Sequence, residues 1–361
     1  MILTELKIHA LRNILSARLE LSPRFNWITG PNGSGKTSIL EALYLLSCGH
    51  SFRSREISPM ITNEHDTLTV FARAQQEQTI SIQKSSSDPT QIKLNNQFCQ
   101  TTSQLAYAIP CQIFYPDLFQ IIDAGASVRR SVLDWGLFHV KQSYLGLWKD
   151  YKRVLKQRNA LLKTAASYSQ FVPWDKQLAE LAQSLDGLRK EYFEQWQVHF
   201  QRVISELTDV QCEISYIKGW DRKNSGKDLL EILAESFLGD KQKSYTQFGA
   251  HQADLLIESR NVKAKQILSR GQQKIILIAM KLAQADLLDK NCLFLFDDLA
   301  AELDSLHQQR LLQHLVKRKG QFVITNTFSE SFQQLIPQDD LQEFRIESGM
   351  VSNLGQMESV G

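Results

Sequence analysis

The segment Gly30-Pro31-Asn32-Gly33-Ser34-Gly35-Lys36-Thr37 fits the pattern G-x-x-x-x-G-K-[ST], and its flanks narrow the possible folds more than any other stretch. Phe25-Asn26-Trp27-Ile28-Thr29 before it reads as a short buried strand. Ile39, Leu40, Leu43, Leu45 and Leu46 after it suit a mostly buried helix that begins near Ser38. Glycines let the backbone wrap closely round an anion, so that successive N–H groups and the helix N-terminus converge on phosphate. In this reading Gly30 to Ser38 bind the phosphates, Lys36 reaches the β- and γ-phosphates, and the Thr37 hydroxyl holds Mg²⁺. The competing reading is a chance match in a glycine-bearing turn. With strand and helix both in place, the expectation is an α/β protein that binds a nucleoside triphosphate.

Two later stretches extend that expectation. Leu268-Ser269-Arg270-Gly271-Gln272-Gln273-Lys274 opens an apolar helix running through Ile275, Met280, Leu282 and Leu288, with Ser269 as a natural N-cap. Ser269, Gly271, Gln272 and the positive helix end form a second anion site. One chain with two phosphate-binding helix ends points to a dimer in which one of them meets nucleotide held by the other chain. Downstream, Cys292-Leu293-Phe294-Leu295-Phe296 is an apolar strand ending in Asp297-Asp298, the Walker B arrangement. Asp297 is expected to hold Mg²⁺ through its hydration shell, and Asp298 to orient or deprotonate the attacking water. Ala301-Glu302-Leu303-Asp304 is expected as a loop at the dimer seam. Gln321 to Thr325 reads as another buried strand, and ligands gather at such strand ends, so Asn326 or Thr327 is a candidate sensor of the γ-phosphate. Lys36, Asp297 and Asp298 are thus the expected catalytic residues, with Thr37 and Asp297 at the metal.

The rest of the chain supplies the surroundings. Leu3, Leu6 and Ile8, then Leu19, Leu21 and Phe25, keep a period near two on either side of a turn. That hairpin would bring Arg12 back beside the phosphate loop, as a nucleotide contact or else as a solvated surface arginine. Thr67 to Ala72, Thr79 to Gln83 and Gln91 to Leu94 read as antiparallel strands, with Asn95-Asn96 as a tight turn. After Gly125, the adjacent Arg129 and Arg130 are candidates for nucleic-acid phosphate, or else for Asp134 or solvent. From about 137 to 208 the pattern becomes helical. Leu147, Tyr151, Val154, Leu155, Arg158, Leu161 and Leu162 mark the apolar face of one helix, and Leu178 through Trp196 mark a second, antiparallel to it. On the other face of the first helix, Lys149, Lys152, Arg153, Lys156 and Lys163 form a basic stripe, either a DNA-backbone surface or a solvated face. His251 and Asp254 are polar residues near the second anion site, and the histidine reads as structural.

Composition limits the alternatives. The formal charge of +2 is spread over 361 residues, so a nucleic-acid surface has to be a local patch. Five scattered cysteines, with no C-x-x-C pair, argue against a disulfide framework or zinc site and for a reducing compartment, the cytoplasm. No apolar run reaches the ~18 residues of a membrane span, and the first residues do not read as a signal peptide.

Taken together, these stretches resemble the ABC-type ATPases of the SMC/Rad50 class, and most closely its RecF family of bacterial recombination mediators. The resemblance is carried by Leu11-Arg12-Asn13, Gly30 to Thr37 with Glu41-Ala42, Gly49-His50-Ser51-Phe52-Arg53, Arg129-Arg130 with Leu133-Asp134, Gln157 to Leu162, Gly249 with His251 and Asp254, Gly271-Gln272-Gln273-Lys274, and Asp297-Asp298. In that family Leu268 to Gln272 corresponds to the signature motif and Ala301 to Asp304 to the D-loop. The resemblance implies ATP and Mg²⁺ as cofactors, an ATP-dependent homodimer, and binding to duplex DNA and single-strand gap junctions. It further implies work with RecO and RecR to load RecA onto strands coated by single-strand binding protein, in repair, replication restart and the SOS response. The sequence departs from related patterns in three places. Asp298 stands where transporters carry a glutamate, which suits a weak, switch-like, DNA-stimulated ATPase. Ala250 and Gln252 stand where the family often has proline and arginine. No switch histidine lies at Thr325 to Thr327.

The resulting expectation is an α/β chain: a P-loop ABC-type ATPase lobe with an antiparallel β-subdomain, and an inserted helical lobe of short antiparallel arms. Its segments are 1–134, with the phosphate loop and β-subdomain, 135–210, the helical lobe, and 211–361, with the signature and Walker B. Two rivals remain. A nucleotide-fuelled nuclease or excision subunit lacks a second cluster of metal ligands, and a transporter ATPase subunit is opposed by the helical lobe and the missing histidine.

Overall fold

The computed structural model describes residues 1–164, 167–222, 225–299, 303–326 and 334–354. Ala301 and Glu302 of the expected seam loop, and Thr327, lie outside the described residues. The chain forms two compact units, one from Met1–Leu118 with Asp289–Gly361 and the other from Phe119–Leu288. The sequence-based boundaries at 134 and 210 both fall inside the second unit.

In chain order the first unit begins with β1 (Leu3–Leu11), β2 (Ile14–Glu20), β3 (Phe25–Thr29) and α1 (Lys36–Cys48). It continues with β4 (Thr67–Ala74), β5 (Thr79–Ser85), β6 (Gln91–Leu94), β7 (Gln97–Phe98), α2 (Ser103–Ala108) and β8 (Cys111–Phe114). The second unit holds α3 (Gln120–Asp123), α4 (Ala126–Val140), α5 (Tyr144–Leu162), α6 (Val172–Leu207), β9 (Glu213–Ile217) and α7 (Leu229–Lys243). After these come β10 (Asp254–Ser259), β11 (Val262–Lys263), α8 (Ala264–Ile267) and α9 (Arg270–Ala285). The chain then returns to the first unit with β12 (Leu293–Phe296), α10 (Ser305–Lys317), β13 (Gln321–Asn326), β14 (Leu341–Glu347) and β15 (Met350–Asn353).

Two six-stranded sheets build the first unit. One is antiparallel, in the order β2-β1-β4-β5-β6-β7, and contains the strands expected from the period-two stretches. Asn95 and Asn96 both adopt positive φ (49° and 63°) at its last turn, as asparagine tolerates better than most residues. The other sheet runs β15-β14-β3-β13-β12-β8. In it β14, β3, β13, β12 and β8 are parallel and β15 is antiparallel to β14. All five residues of β3 and all four of β12 are buried, which is why both read as continuous apolar runs rather than alternations. Their register places Phe322 opposite both Phe25 and Phe294, so the three rings stack with centroids 4.7 and 5.0 Å apart. Helix α1 packs against strands of both sheets, and its Ile39, Leu40, Leu43, Leu45 and Leu46 join one hydrophobic core with residues of each. Gln321 ties the sheets together at one end: its side chain accepts from Leu3 N (2.9 Å) and donates to Leu3 O (2.7 Å) and Ser22 O (2.8 Å).

In the second unit α5 and α6 pack as the expected neighbouring pair, and α6 also packs on α9. Helix α6 starts earlier than its apolar spacing indicated, because Pro173 sits in the first turn, where its missing N–H costs nothing. The helix pair is cross-linked by charge. Arg158 Nε donates to Asp175 Oδ1 (2.6 Å), and Arg158 Nη1 donates to Asp240 Oδ2 (2.7 Å) and Thr246 Oγ1 (2.8 Å). All three charged side chains are fully buried. Removing one partner from such a group strands the others without compensation. Arg158→Met should therefore lower stability by about 3–5 kcal/mol, read as a shift in the urea unfolding midpoint. Adding Asp175→Asn and Asp240→Asn should restore a large part of that loss. An Arg158→Met variant as stable as the parent would show that the triad contributes nothing.

Candidate nucleotide site and basic helix face

The parallel order β3-β13-β12 sets the phosphate loop and the Asp297-Asp298 pair at the same ends of the two strands that flank β13. Gly35, at φ +118°, caps α1; a Cβ there would meet Ile346 Cδ1 at 2.9 Å and Asn13 Oδ1 at 3.1 Å, so only glycine fits. Asn13 Nδ2 donates to Gly33 O (3.1 Å) and its Oδ1 accepts from Ser38 Oγ (3.1 Å), which pins the loop to its helix. The turn between β14 and β15 docks on the same loop, where Gly349 N donates to Ser34 O (2.8 Å). Sequence spacing gave no sign of that turn, because its contact crosses most of the chain.

Lys36 Nζ lies over the loop, donating to Gly30 O (2.7 Å) and Pro31 O (3.0 Å). Burial lowers its pKa, while the charges of Asp298 and Asp297 act to raise it. Thr37 Oγ1 donates to Asp297, with Oδ1 at 2.9 Å and Oδ2 at 3.1 Å. Burial pushes the Asp297 carboxyl above its ordinary value. Hydrogen bonds from Thr37 and Thr325 and the charge of Arg53 pull it down, while Asp298 pushes it up. Asp298 has φ +51°, a left-handed conformation that costs energy and is found at functional sites. Ser34 Oγ is buried with no hydrogen-bond partner, and an orphan hydroxyl inside a phosphate loop suits an anionic ligand. The converging hydroxyl and carboxylate oxygens suit a hard divalent cation that keeps waters and takes phosphate oxygens. Among the described residues no cluster of three or more His, Cys, Asp or Glu could hold a metal by itself.

Arg12 is tied to the helix that follows the loop: it donates from Nε (2.9 Å) and Nη2 (2.7 Å) to the two carboxylate oxygens of Glu41, and from Nη1 to Pro59 O. Glu41 points inward from α1 and is fully buried, so it demands a cation. Ser51 Oγ also donates to Glu41, and Arg53 Nη1 lies 3.6 Å from it. Arg53 is the charged side chain near Asp297 to which the sequence reading gave no role.

In the second unit, Ser269 caps α9 through a reciprocal box: Gln272 N donates to Ser269 Oγ (3.2 Å) and Ser269 N to Gln272 Oε1 (3.0 Å). Gly271 sits in the first turn of the helix. Lys149, Lys152 and Lys156 are exposed on α5, and the Lys152 ammonium lies 5.5 Å over the Trp148 ring. Arg129 and Arg130 are engaged within the fold. Arg129 grips Asp254 with both branches (2.8 and 2.7 Å) and donates to Ile122 O and Ala124 O, while Arg130 donates to Ala253 O. A carboxylate brought from 125 residues away takes the arginine fork that the sequence left open to phosphate.

The comparisons agree with this geometry. The model described as "RecF/RecN/SMC N terminal domain" matches residues 2–346. A curated relative from Aliivibrio fischeri (strain MJ11), named "DNA replication and repair protein RecF", is 38% identical over 97% of this chain and 99% of its own. The chain belongs to the RecF family. A relative of the same name from Vibrio vulnificus (strain CMCP6) is also 38% identical, over 97% of this chain and 99% of its own. A solved RecF structure, titled as the recombination mediator protein RecF-ATP in the RecFOR pathway, superposes with a TM-score of 0.84 at 26% identity. That match covers 98% of this chain and 97% of the other. An Smc head bound to the C-terminal winged-helix domain of ScpA shares the fold, with a TM-score of 0.62 at 16% identity over 99% of both chains. This RecF-family chain is thus an α/β protein with the ABC-type ATPase fold. Among the described residues no helix is long and apolar enough to cross a membrane.

His251 is a structural residue of this family member. Its Nδ1 lies 2.7 Å from Tyr151 Oη and its Nε2 3.0 Å from Thr246 O. Burial lowers its pKa from the ordinary 6.5 to about 4. Between those values the unfolded chain binds a proton that the folded chain refuses, so stability is lost as pH falls from 6.5 toward 4. The loss should reach roughly 3 kcal/mol. The urea midpoint of the wild type should fall more steeply over that range than that of His251→Gln. Parallel pH slopes would show that this imidazole does not titrate out of the fold.

Proposed function

We propose that this chain is an ATP-dependent recombination mediator that closes as a dimer on DNA and helps load the recombinase RecA. The observation that carries the reading is the meeting of Thr37 with both carboxylate oxygens of Asp297 at 2.9 and 3.1 Å, beside a phosphate loop whose Ser34 hydroxyl has no partner. Triphosphate entering the loop would exchange the Gly30 and Pro31 carbonyls on Lys36 for phosphate oxygens. Ser34 and the N-terminal amides of α1 would then satisfy the anion. Thr37 and Asp297 would hold Mg²⁺, which supplies charge neutralisation at the β- and γ-phosphates. Asp298 places the attacking water, and its shorter side chain in place of a glutamate fits a slow, DNA-stimulated switch. Ser269, Gly271 and Gln272 would complete the nucleotide site of the partner chain, so that ATP stabilises only the dimer. The exposed row Lys149, Lys152 and Lys156 is the proposed contact to the backbone of duplex or gapped DNA. RecO and RecR are the proposed protein partners, and the cytoplasm the compartment. The division into an ATPase lobe with an inserted helical lobe is part of the same reading.

Sedimentation of the wild type, Lys36→Arg and Ser269→Arg, with and without ATP and a gapped duplex, tests the core of the reading. The wild type should dimerise only with ATP, and both variants should remain monomeric. A wild type that stays monomeric throughout would overturn the sandwich. Changing Lys149, Lys152 and Lys156 to Gln should weaken DNA binding. It should also reduce the slope of log K against log salt by roughly 2–3, since each lost phosphate contact removes about 0.9. An unchanged slope would assign the row to solvent.

A further inference from the structure

We infer that Thr325 is the positioning residue that holds both Walker B aspartates, Asp297 by its carboxylate for the metal and Asp298 by its backbone N–H for the attacking water. The inference rests on the nucleotide-binding reading above. Thr325 is fully buried on β13, the strand between the phosphate loop's strand and β12. Its Oγ1 accepts the Asp298 N–H (2.9 Å) and lies 3.0 Å from Asp297 Oδ1 and 3.3 Å from Phe296 O. Its carbonyl also accepts Leu299 N (3.2 Å). One residue of β13 therefore clamps the turn in which β12 ends, from Phe296 through Leu299.

A hydroxyl has one proton to give and two lone pairs to receive with. Accepting from Asp298 N fixes a backbone that sits at φ +51°, where an aspartate needs outside support. The proton is left for Asp297 Oδ1 or the Phe296 carbonyl. Asp297 also accepts from Thr37 Oγ1, but that is the hydroxyl expected to turn to the metal once ATP is bound. The Thr325 bond is then the contact from the fold that remains on the Asp297 carboxylate. Partners of this kind orient metal ligands, and their loss typically costs about 10–100-fold in metal affinity or activity. In sequence Asn326 and Thr327, the residues just beyond, were the candidate γ-phosphate sensors, whereas the Thr325 hydroxyl faces the Asp297 carboxylate and the Asp298 N–H.

The test is Mn²⁺ binding in the presence of ATP, followed by electron paramagnetic resonance, on the full chain and its Thr325→Val and Thr325→Ser variants. Valine keeps the shape and loses the hydroxyl; serine keeps the hydroxyl. Thr325→Val should raise half-saturating Mn²⁺ about tenfold or more, with affinity for metal-free ATP within about twofold of wild type, while Thr325→Ser stays near wild type. If valine unfolds the chain, Thr325→Ala and Thr325→Ser are compared. Both lose the methyl group and only alanine loses the hydroxyl, so alanine alone should show the shift. Equal Mn²⁺ binding by hydroxyl-bearing and hydroxyl-free variants would overturn the inference. A wild type that binds neither ATP nor Mn²⁺ with ATP would overturn the nucleotide reading itself.

Discussion

A hydroxyl and a carboxylate 260 residues apart in sequence, Thr37 and Asp297, come within 2.9 Å, and the architecture of the first unit exists to make that meeting possible. Neither backbone position can travel. Thr37 is fixed by the first turn of α1, which is buried against both sheets, and Asp297 by a strand with no exposed residue. The alignment is set by β13, inserted between β3 and β12. Its register with each neighbour, backed by the stacked rings of Phe25, Phe322 and Phe294, brings the strand ends level. A one-residue slip along β12 would turn Asp297 away from the loop.

Local chemistry was legible in the sequence and distant partnership was not. The phosphate loop, the α9 cap and the Asp297-Asp298 pair were readable because each is a short pattern whose neighbours in sequence are also its neighbours in space. Arg12, Arg129 and Arg130 show the opposite case. An arginine near a turn has the same local context whether it faces phosphate, a carboxylate or a carbonyl, and here the partners within the fold are Glu41, Asp254 and the Ala253 carbonyl. The stacking of the strands in β3-β13-β12 order has no local signature either, so Thr325 could be placed at a strand end but not beside the residues it holds.

The second unit manages a different difficulty. Helices α5 and α6 bury Arg158, Asp175 and Arg189, ionic groups whose desolvation is offset by their mutual pairs and hydrogen bonds, even with Arg158 Nη2, Asp175 Oδ2 and Arg189 Nε buried without a partner. Arg189 donates to Ala250 O (2.6 Å), Asp134 Oδ1 (2.9 Å) and Tyr144 Oη (3.3 Å). The segment from Thr246 to Asp254 is thus held by Arg158, Arg189, Arg129 and Tyr151 from several directions. Such a network fixes one arrangement of the helices, since any shift between them strands a charge.

The second unit interrupts the first between β8 and β12, and this orders events during synthesis. Among the described residues β3 pairs with β13 and β14 alone, and β8 with β12 alone, and these partners lie on the far side of the insertion. As the chain leaves the ribosome, the antiparallel sheet can close early, whereas β3 and β8 wait with open, apolar edges while Phe119–Leu288 is made. At about 5–20 residues per second that wait lasts roughly ten to thirty seconds. An unpaired strand edge invites misassociation, so the nascent chain is most exposed to chaperones in this interval, and the phosphate loop gains its rigid footing only after β13 and β14 have been made.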